Sequence, residues 1–178
     1  MDVSVAIRML EEAIAAVPGA IVVVIALLIG KLIFDQSHRF DELQELETKQ
    51  NGAFGIVYAA YFVALVLAMM GALYQGGKLS PWSLVPKIAG ECLLVLLLMR
   101  LSLWVNDRLI LSNFCVYEEI SQDRNYAVAY CVAGVLIATG FSINGALTGY
   151  SENLLTMLRD ILLFWAVGQL ILIIGARP

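Results

Sequence analysis

Long apolar runs with few charges alternate with short polar or turn-rich stretches along the chain. Five runs stand out: Ile14–Phe34, Asn51–Tyr74, Trp82–Val105, Tyr126–Leu147 and Leu154–Ile174. About 20 helical residues cross the hydrocarbon layer of a bilayer, and each run reaches that length. Backbone groups in lipid must bond to one another, and these runs are too long for barrel strands. The pattern predicts an all-α, polytopic integral membrane protein with five transmembrane helices, embedded in a lipid bilayer.

Two of the runs are copies of one another. A shift of 74 positions carries Glu45 onto Glu119, Asn51 onto Asn125, Ala53 onto Ala127 and Gly71-Ala72-Leu73 onto Gly145-Ala146-Leu147. The later copy places Ala127, Cys131, Gly134, Ala138, Ser142, Gly145 and Gly149 at steps of three and four. The earlier copy does the same with Ala53, Val57, Ala60, Ala64, Ala68 and Gly71. Stripes of small residues let membrane helices approach closely, so Gly134 and Ala138, with Ala60 and Ala64 as equivalents, are the expected packing contact. The contact serves either within one chain or between copies in a homo-oligomer. The repeats run parallel, which predicts a pseudo-twofold axis along the membrane normal. The chain then divides into an amphipathic interfacial helix (1–13), two two-span repeats (14–76 and 77–150) and an additional C-terminal span (151–178).

At the N-terminus Val3, Ala6, Met9, Leu10 and Ala13 oppose Asp2, Arg8 and Glu12, the pattern of a helix lying in the interface. The first run is expected to stay as an anchor, because Glu11 and Glu12 stand where a signal peptide is basic. Pro18 is placed near the start of that span, where a missing N–H does least harm. The connection 35–50 sets Phe40, Leu43 and Leu46 on one side, with Asp41, Glu42, Glu45 and Glu47 around them. Its counterpart 106–124 is more apolar and is expected to lie against the membrane or a neighbouring helix. Gln75-Gly76-Gly77, Pro81, Pro86 and Gly149-Tyr150-Ser151 read as breakers on the other side. The face holding both long connections carries Arg39, Lys49, Arg108, Arg124 and Arg177, with Lys31 and Arg100 close by. The opposite face has Arg8, Lys78, Lys87 and Arg159, and seven against four favours long connections in the cytoplasm. The N-terminus is then outside and the C-terminus cytoplasmic.

Composition narrows the classes. With 61% hydrophobic residues, 15% charged ones and a mean hydropathy of +0.84 this is no soluble domain, and a net charge of −4 argues against nucleic acid. Cys92, Cys115 and Cys131 have no metal-like spacing and read as small packing residues. The single histidine, His38, has no ligand-spaced partner, and no nucleophile elbow, phosphate loop or HExxH occurs. The expectation is a protein that is not an enzyme and uses no metal or cofactor.

Five ionisable residues fall within or near the spans: Lys31, Glu91, Arg100, Arg159 and Asp160. Such residues are functional candidates by default. Lys31 and Arg100 lie within two turns of a span end and can snorkel. Glu91 and Arg159 both sit roughly 12–14 Å deep at 1.5 Å per residue. They are expected either to form an ion pair tying the fifth span to the repeats, or to stay apart with Arg159 snorkelling and Glu91 protonated. In the paired case Asp160 faces water or another subunit. Gln75, Asn144 and Gln169 are suited to bonding a neighbouring helix. Tyr58, Tyr61, Tyr126, Tyr130, Trp82 and Trp104 suit an aromatic belt. Asn51 and Asn125 open their helices in a repeated N-x-A motif. That suits either a helix cap or a paired polar constriction at the inner mouth of a pathway.

The duplicated unit, with Asn51-Gly52-Ala53 and Gly71 answered by Asn125-Tyr126-Ala127 and Gly145, resembles the YjfL-like family of small bacterial membrane proteins, domain of unknown function family 350. The resemblance covers about residues 15–150. It implies an inner-membrane protein, with some members linked to envelope-stress and polyamine-related genes and none with an assigned activity. The fifth span and amphipathic N-terminus depart from that family's usual four-span plan. Two functions follow as expectations. One is a non-enzymatic module that self-associates through the stripes and recruits a partner protein, or senses envelope stress, through its acidic connections. The other is a channel or transporter for a small cation or polyamine, with Glu91 and the two Asn residues on its path.

Overall fold

A computed structural model describes residues 3–37, 42–74, 81–111, 115–149 and 154–175. They form six α-helices: α1 (Val3–Ser37), α2 (Gly52–Tyr74), α3 (Pro81–Val105), α4 (Val116–Ser121), α5 (Tyr126–Leu147) and α6 (Leu154–Gly175). Single π-helical turns, Gln44–Thr48 and Asn106–Ile110, precede α2 and follow α3. Five helices, all but α4, are long and apolar enough to cross a membrane, and the described residues contain no strand. The protein is an all-α polytopic membrane protein. His38, Gln75, Arg177 and the links 75–80 and 150–153 lie outside the described residues.

α1 is one unbroken helix of 35 residues, so the expected boundary after residue 13 is not a break in the backbone. Pro18 stands in its interior, not near a helix start. A proline there removes one backbone bond, and the helix continues because lipid offers its other groups no better partner. Pro81 opens α3, where its missing N–H is one of the unpaired donors anyway, and Pro86 lies inside the same helix.

α2 packs against α1, α3 and most extensively α5, while α3 touches each of the other four spanning helices. α2 and α5 run side by side in one direction: Gly52 meets Tyr126, Ala64 meets Gly140 and Gly71 meets Asn144 and Leu147. A Cβ on Gly140 would fall 2.6 Å from the Ala64 carbonyl oxygen and 2.9 Å from its Cα. One on Gly71 would fall 2.9 Å from the Asn144 carbonyl oxygen. The two backbones therefore touch, and Asn144 Nδ2 donates across the contact to the Leu67 carbonyl at 2.7 Å.

The stripe of α2 takes part in this contact, with Ala53, Ala60, Ala64 and Ala68 buried. The equivalent stripe of α5 does not. Ala127, Cys131, Gly134 and Gly145 are exposed, Ala138 and Ser142 are half-buried, and a Cβ on Gly134 or Gly145 would meet no atom within 4 Å. α5 instead presents Val132, Leu136, Gly140, Ile143 and Leu147 to the core, a face roughly 150° round the helix at 3.6 residues per turn. That face mixes the small Ala129, Ala133, Gly140 and Ala146 with large side chains, so close approach and interdigitation occur together, with more dispersion contact than a row of methyl groups gives.

The outer helices are held differently. At α1, Tyr61 donates to the Gly30 carbonyl at 3.0 Å, and the Phe34 ring lies 4.7 Å from that of Tyr61 and 5.6 Å from that of Tyr58. Tyr58 and Tyr61 are thus part of the α1–α2 seam and not of a belt, while Tyr126, Tyr130 and Trp104 are exposed near helix ends. α6 is tied by neutral hydrogen bonds: Trp165 Nε1 to Ser102 Oγ (2.7 Å), Gln169 Nε2 to Thr139 Oγ1 (2.9 Å) and Ser142 Oγ to the Phe164 carbonyl (3.1 Å).

The packing yields a paired prediction. Gly140→Ala drives a methyl into the Ala64 backbone and should destabilise by about 1–3 kcal/mol. Gly134→Ala meets nothing and should be neutral or stabilising by up to about 1 kcal/mol through helix propensity. Thermal melting of both variants in the same detergent checks the order.

Candidate functional site

Each repeat builds the same turn before its second span. Asn51 N–H donates to the Glu45 carbonyl and Asn125 N–H to the Glu119 carbonyl, both at 2.8 Å. The residue before each asparagine is left-handed, Gln50 at φ 50° and Arg124 at φ 51°. Each asparagine then caps its helix: Asn51 Oδ1 accepts from Phe54 N–H at 3.2 Å, and Asn125 Oδ1 from Ala127 and Val128 N–H at 3.0 and 3.3 Å. The Nδ2 groups close the turn on a carboxylate, Asn51 to Glu45 Oε2 (2.8 Å) and Asn125 to Glu119 Oε2 (2.7 Å). Of the two readings of the N-x-A motif, the geometry fits the cap. Ala53 is buried in the core behind its cap, while Ala127 is exposed.

The first turn is the buried one, and it reaches the other repeat. Asn51 Nδ2 also donates to the Ile120 carbonyl at 2.8 Å, and Ser121 Oγ donates to Glu45 Oε1 at 2.6 Å. Lys49 Nζ lies 2.6 Å from the same Glu45 oxygen. Burial alone pushes the Glu45 carboxyl up, but hydrogen bonds from Lys49, Ser121 and Asn51 outweigh it and hold the group below its ordinary 4.5. The second turn lacks this neutraliser, since the position equivalent to Lys49 is Asp123. Glu45, one of the acids set around the apolar side of the connection, is 2% exposed, because it accepts from the Asn51 cap of α2 and from Ser121 of α4 at once.

A second polar cluster joins α1 to the chain before α2. Lys31 Nζ pairs with Glu42 and, at 3.2 Å, with Asp35, while Tyr58 OH donates to Glu42 Oε2 at 2.6 Å. The Lys31 and Tyr58 hydrogen bonds hold the Glu42 carboxyl below its ordinary value. Lys31 therefore bridges within the protein, whereas Arg100 is exposed and forms no ion pair among the described residues.

The deeper charges pair within their own helices. Arg159 binds Asp160 at 2.8 Å on the exposed side of α6, and Glu91 lies 3.7 Å from Lys87 on α3. The expected Glu91–Arg159 pair is not formed, because each residue has a nearer partner along its own helix. Asp160 is correspondingly occupied by Arg159. Glu91 is buried at 3% exposure and its Oε2 has no hydrogen bond. Lys87, Glu91 and Ser102 fall within roughly 60° on one face of α3 at 100° per residue, and Asn106 opens the π-helical turn that follows. Asn106 is fully buried with neither side-chain atom bonded, and Gln169 Oε1 is likewise unbonded. Asn106 went unnoticed because it lies at the edge of an apolar run. Its spacing of four from Ser102 was the available signal. Among the described residues no three His, Cys, Asp or Glu side chains group as a metal-ligand set. Cys92 is buried, whereas Cys131 and Cys115 are exposed rather than packed.

Duplicated caps, two crossed repeats and five spanning helices define a polytopic membrane protein built by internal duplication. The chain belongs to the family described as Domain of Unknown Function (DUF350), whose model matches residues 8–147 and again 80–177. The overlapping matches fit a duplicated unit, and the second extends through α6, the span that had been set apart from the repeat. No curated protein and no solved structure matches the chain.

Two expectations follow from the caps. Asn51→Ala strands the buried Glu45 carboxylate and the Ile120 carbonyl and should cost about 1–3 kcal/mol, against about 1 kcal/mol for Asn125→Ala. Because the folded Glu45 value lies below 4.5, its stabilisation is present above about that pH and is lost as pH falls through the folded value. Melting temperatures from pH 7 to pH 3 should therefore fall more steeply for the native protein than for Glu45→Gln, with Glu42 keeping part of the slope.

Proposed function

We propose that the protein is a non-enzymatic multi-pass module of a bacterial inner membrane that self-associates through the outward stripe of α5. The observation that carries this reading is that Cys131, Gly134 and Gly145 stand exposed on a spanning helix with no described residue packed over either glycine. Ser142 of the same stripe is bonded to α6, but the uncovered Cys131, Gly134 and Gly145 give little side-chain contact to acyl chains and allow a second helix to come close. Glu47, Glu118, Asp123 and Arg124 remain exposed at the connection end and would meet a partner protein or report envelope stress. The Lys/Arg count supports this end, and the C-terminus, in the cytoplasm with the N-terminus outside.

Channel or transporter activity for a small cation or polyamine is the second reading, favoured by one observation. The Glu91 carboxylate is buried with an oxygen that no described residue satisfies. In lipid such a group calls for water, an ion or a proton. The Asn51–Asn125 constriction contributes nothing to this reading, since both side chains are used as caps.

Native Cys131 makes the self-association testable without new chemistry on the stripe. In membranes of a Cys115→Ala variant, a short bismaleimide should link two chains through Cys131 into a dimer band. A Gly134→Leu change should reduce that band severalfold without lowering the melting temperature. Absence of any dimer, with Cys131 freely labelled by a monofunctional maleimide, would remove the stripe as an interface. Liposome flux of monovalent cations and spermidine, compared between native protein and Glu91→Gln, decides the second reading.

A further inference from the structure

An open groove of about 480 Å³ lies between α1 and α3, lined by Ile29, Ile33 and Gln36 on one side and Leu93, Leu97 and Arg100 on the other. The residues recur at steps of four and three on each helix, so each helix contributes one continuous face. Numbers rise together across the seam, with Gly19 against Ile88 and Gly30 against Leu96. α1 and α3 therefore run the same way, and Gln36 and Arg100 share the connection end of the groove while Ile29 and Leu93 share the other. Seven residues at 1.5 Å each make the groove roughly 10 Å long, polar at one end and apolar along the rest.

Two further observations say what fits it. Arg100 is exposed and forms no hydrogen bond or ion pair among the described residues, whereas the neighbouring cation of α1, Lys31, is already held by Asp35 and Glu42. The floor is closed, because a Cβ on Gly30 would fall 2.6 Å from Leu65 Cδ1 and 3.2 Å from Leu96 Cδ2. Leu93 and Leu97 remain 62% and 57% exposed, so the walls are uncovered by the chain itself.

We propose that this groove binds an anionic phospholipid. The phosphate sits on the Arg100 guanidinium, whose planar donors match phosphate oxygens, with the Gln36 amide beside it. One acyl chain runs along Ile29, Ile33, Leu93 and Leu97. The complementarity is double: the free charge has the sign of the headgroup, and the polar-to-apolar order along the groove is that of the lipid.

The full-length protein in a neutral detergent is the material for the test, with dioleoyl phosphatidylglycerol and dioleoyl phosphatidylcholine as probes. Native mass spectrometry should show phosphatidylglycerol retained over phosphatidylcholine by about fivefold or more, together with a rise in melting temperature. Arg100→Gln should bring that preference close to one. Leu97→Trp, which keeps the cation but fills the groove, should lower retention of phosphatidylglycerol as well. Both positions are exposed, and unchanged melting of the variants in detergent alone certifies their folding. Glycerol 3-phosphate, which has the phosphate but no acyl chain, should give no stabilisation. Equal retention of the two lipids by the native protein, or a phosphatidylglycerol preference unchanged in both variants, would overturn the proposal. Stabilisation by glycerol 3-phosphate matching that by phosphatidylglycerol would overturn it in favour of a soluble phosphate ligand.

Discussion

Close contact between the backbones of α2 and α5 sets the geometry on which the other helices depend. Two helices in lipid gain nothing from expelling water, so they must be near enough for dispersion and polar contacts to add up. Gly140 against Ala64 and Gly71 against Asn144 provide that nearness. Once the two axes are fixed, the Leu67 carbonyl comes within reach of Asn144, and Glu45 and Asn51 come within reach of Ile120 and Ser121. α1 and α6 then attach, one through aromatic rings and a tyrosine hydroxyl, the other through three hydrogen bonds between uncharged groups.

The charges of the bundle follow a rule of short range. Lys31 with Asp35, Lys49 with Glu45 and Lys87 with Glu91 are pairs four residues apart, and Arg159 with Asp160 are neighbours. Such pairs form on a single helix before it meets any other, so the ordering entropy of a second helix is not set against them. The Lys31–Glu42 bridge, eleven residues apart, reaches furthest among these pairs, and it joins α1 to the chain directly after it.

Much of the fold could be read from the residues because lipid leaves the backbone few choices. Apolar length gave the spans, and the 74-residue shift gave the parallel arrangement seen in the Gly52–Tyr126 and Ala64–Gly140 contacts. The asparagine caps were legible for the same reason, since a helix start beside lipid needs an acceptor. The rotation of α5 was not, because a regular stripe of Ala and Gly looks like an interface whether or not it is used. On α5 the contact runs through Gly140 on a face that mixes small with large residues, so no unbroken stripe announces it. The role of Glu45 was hidden by its neighbours: in DELQELETKQ no single position stands out from the other acids. Comparison of the two repeats does distinguish it, because Glu45 and Glu119 alone keep the spacing of six to an asparagine at both sites.

Crossed bonding between the two halves has a consequence for the order of synthesis. Residues emerge from the N-terminus, so the first two-span unit enters the membrane while the second is still being made. At that stage Glu45 has Lys49 and Asn51 but not the Ser121 hydroxyl, and the second hydrogen of Asn51 has no carbonyl to receive it. The face of α2 that will meet α5 is bare as well. The early half is thus left with specific vacancies that only the late half can fill, and the later repeat serves the earlier one as a template built into the same polypeptide. Duplication here does more than double a unit, since the copies have become unequal: one is finished by the other.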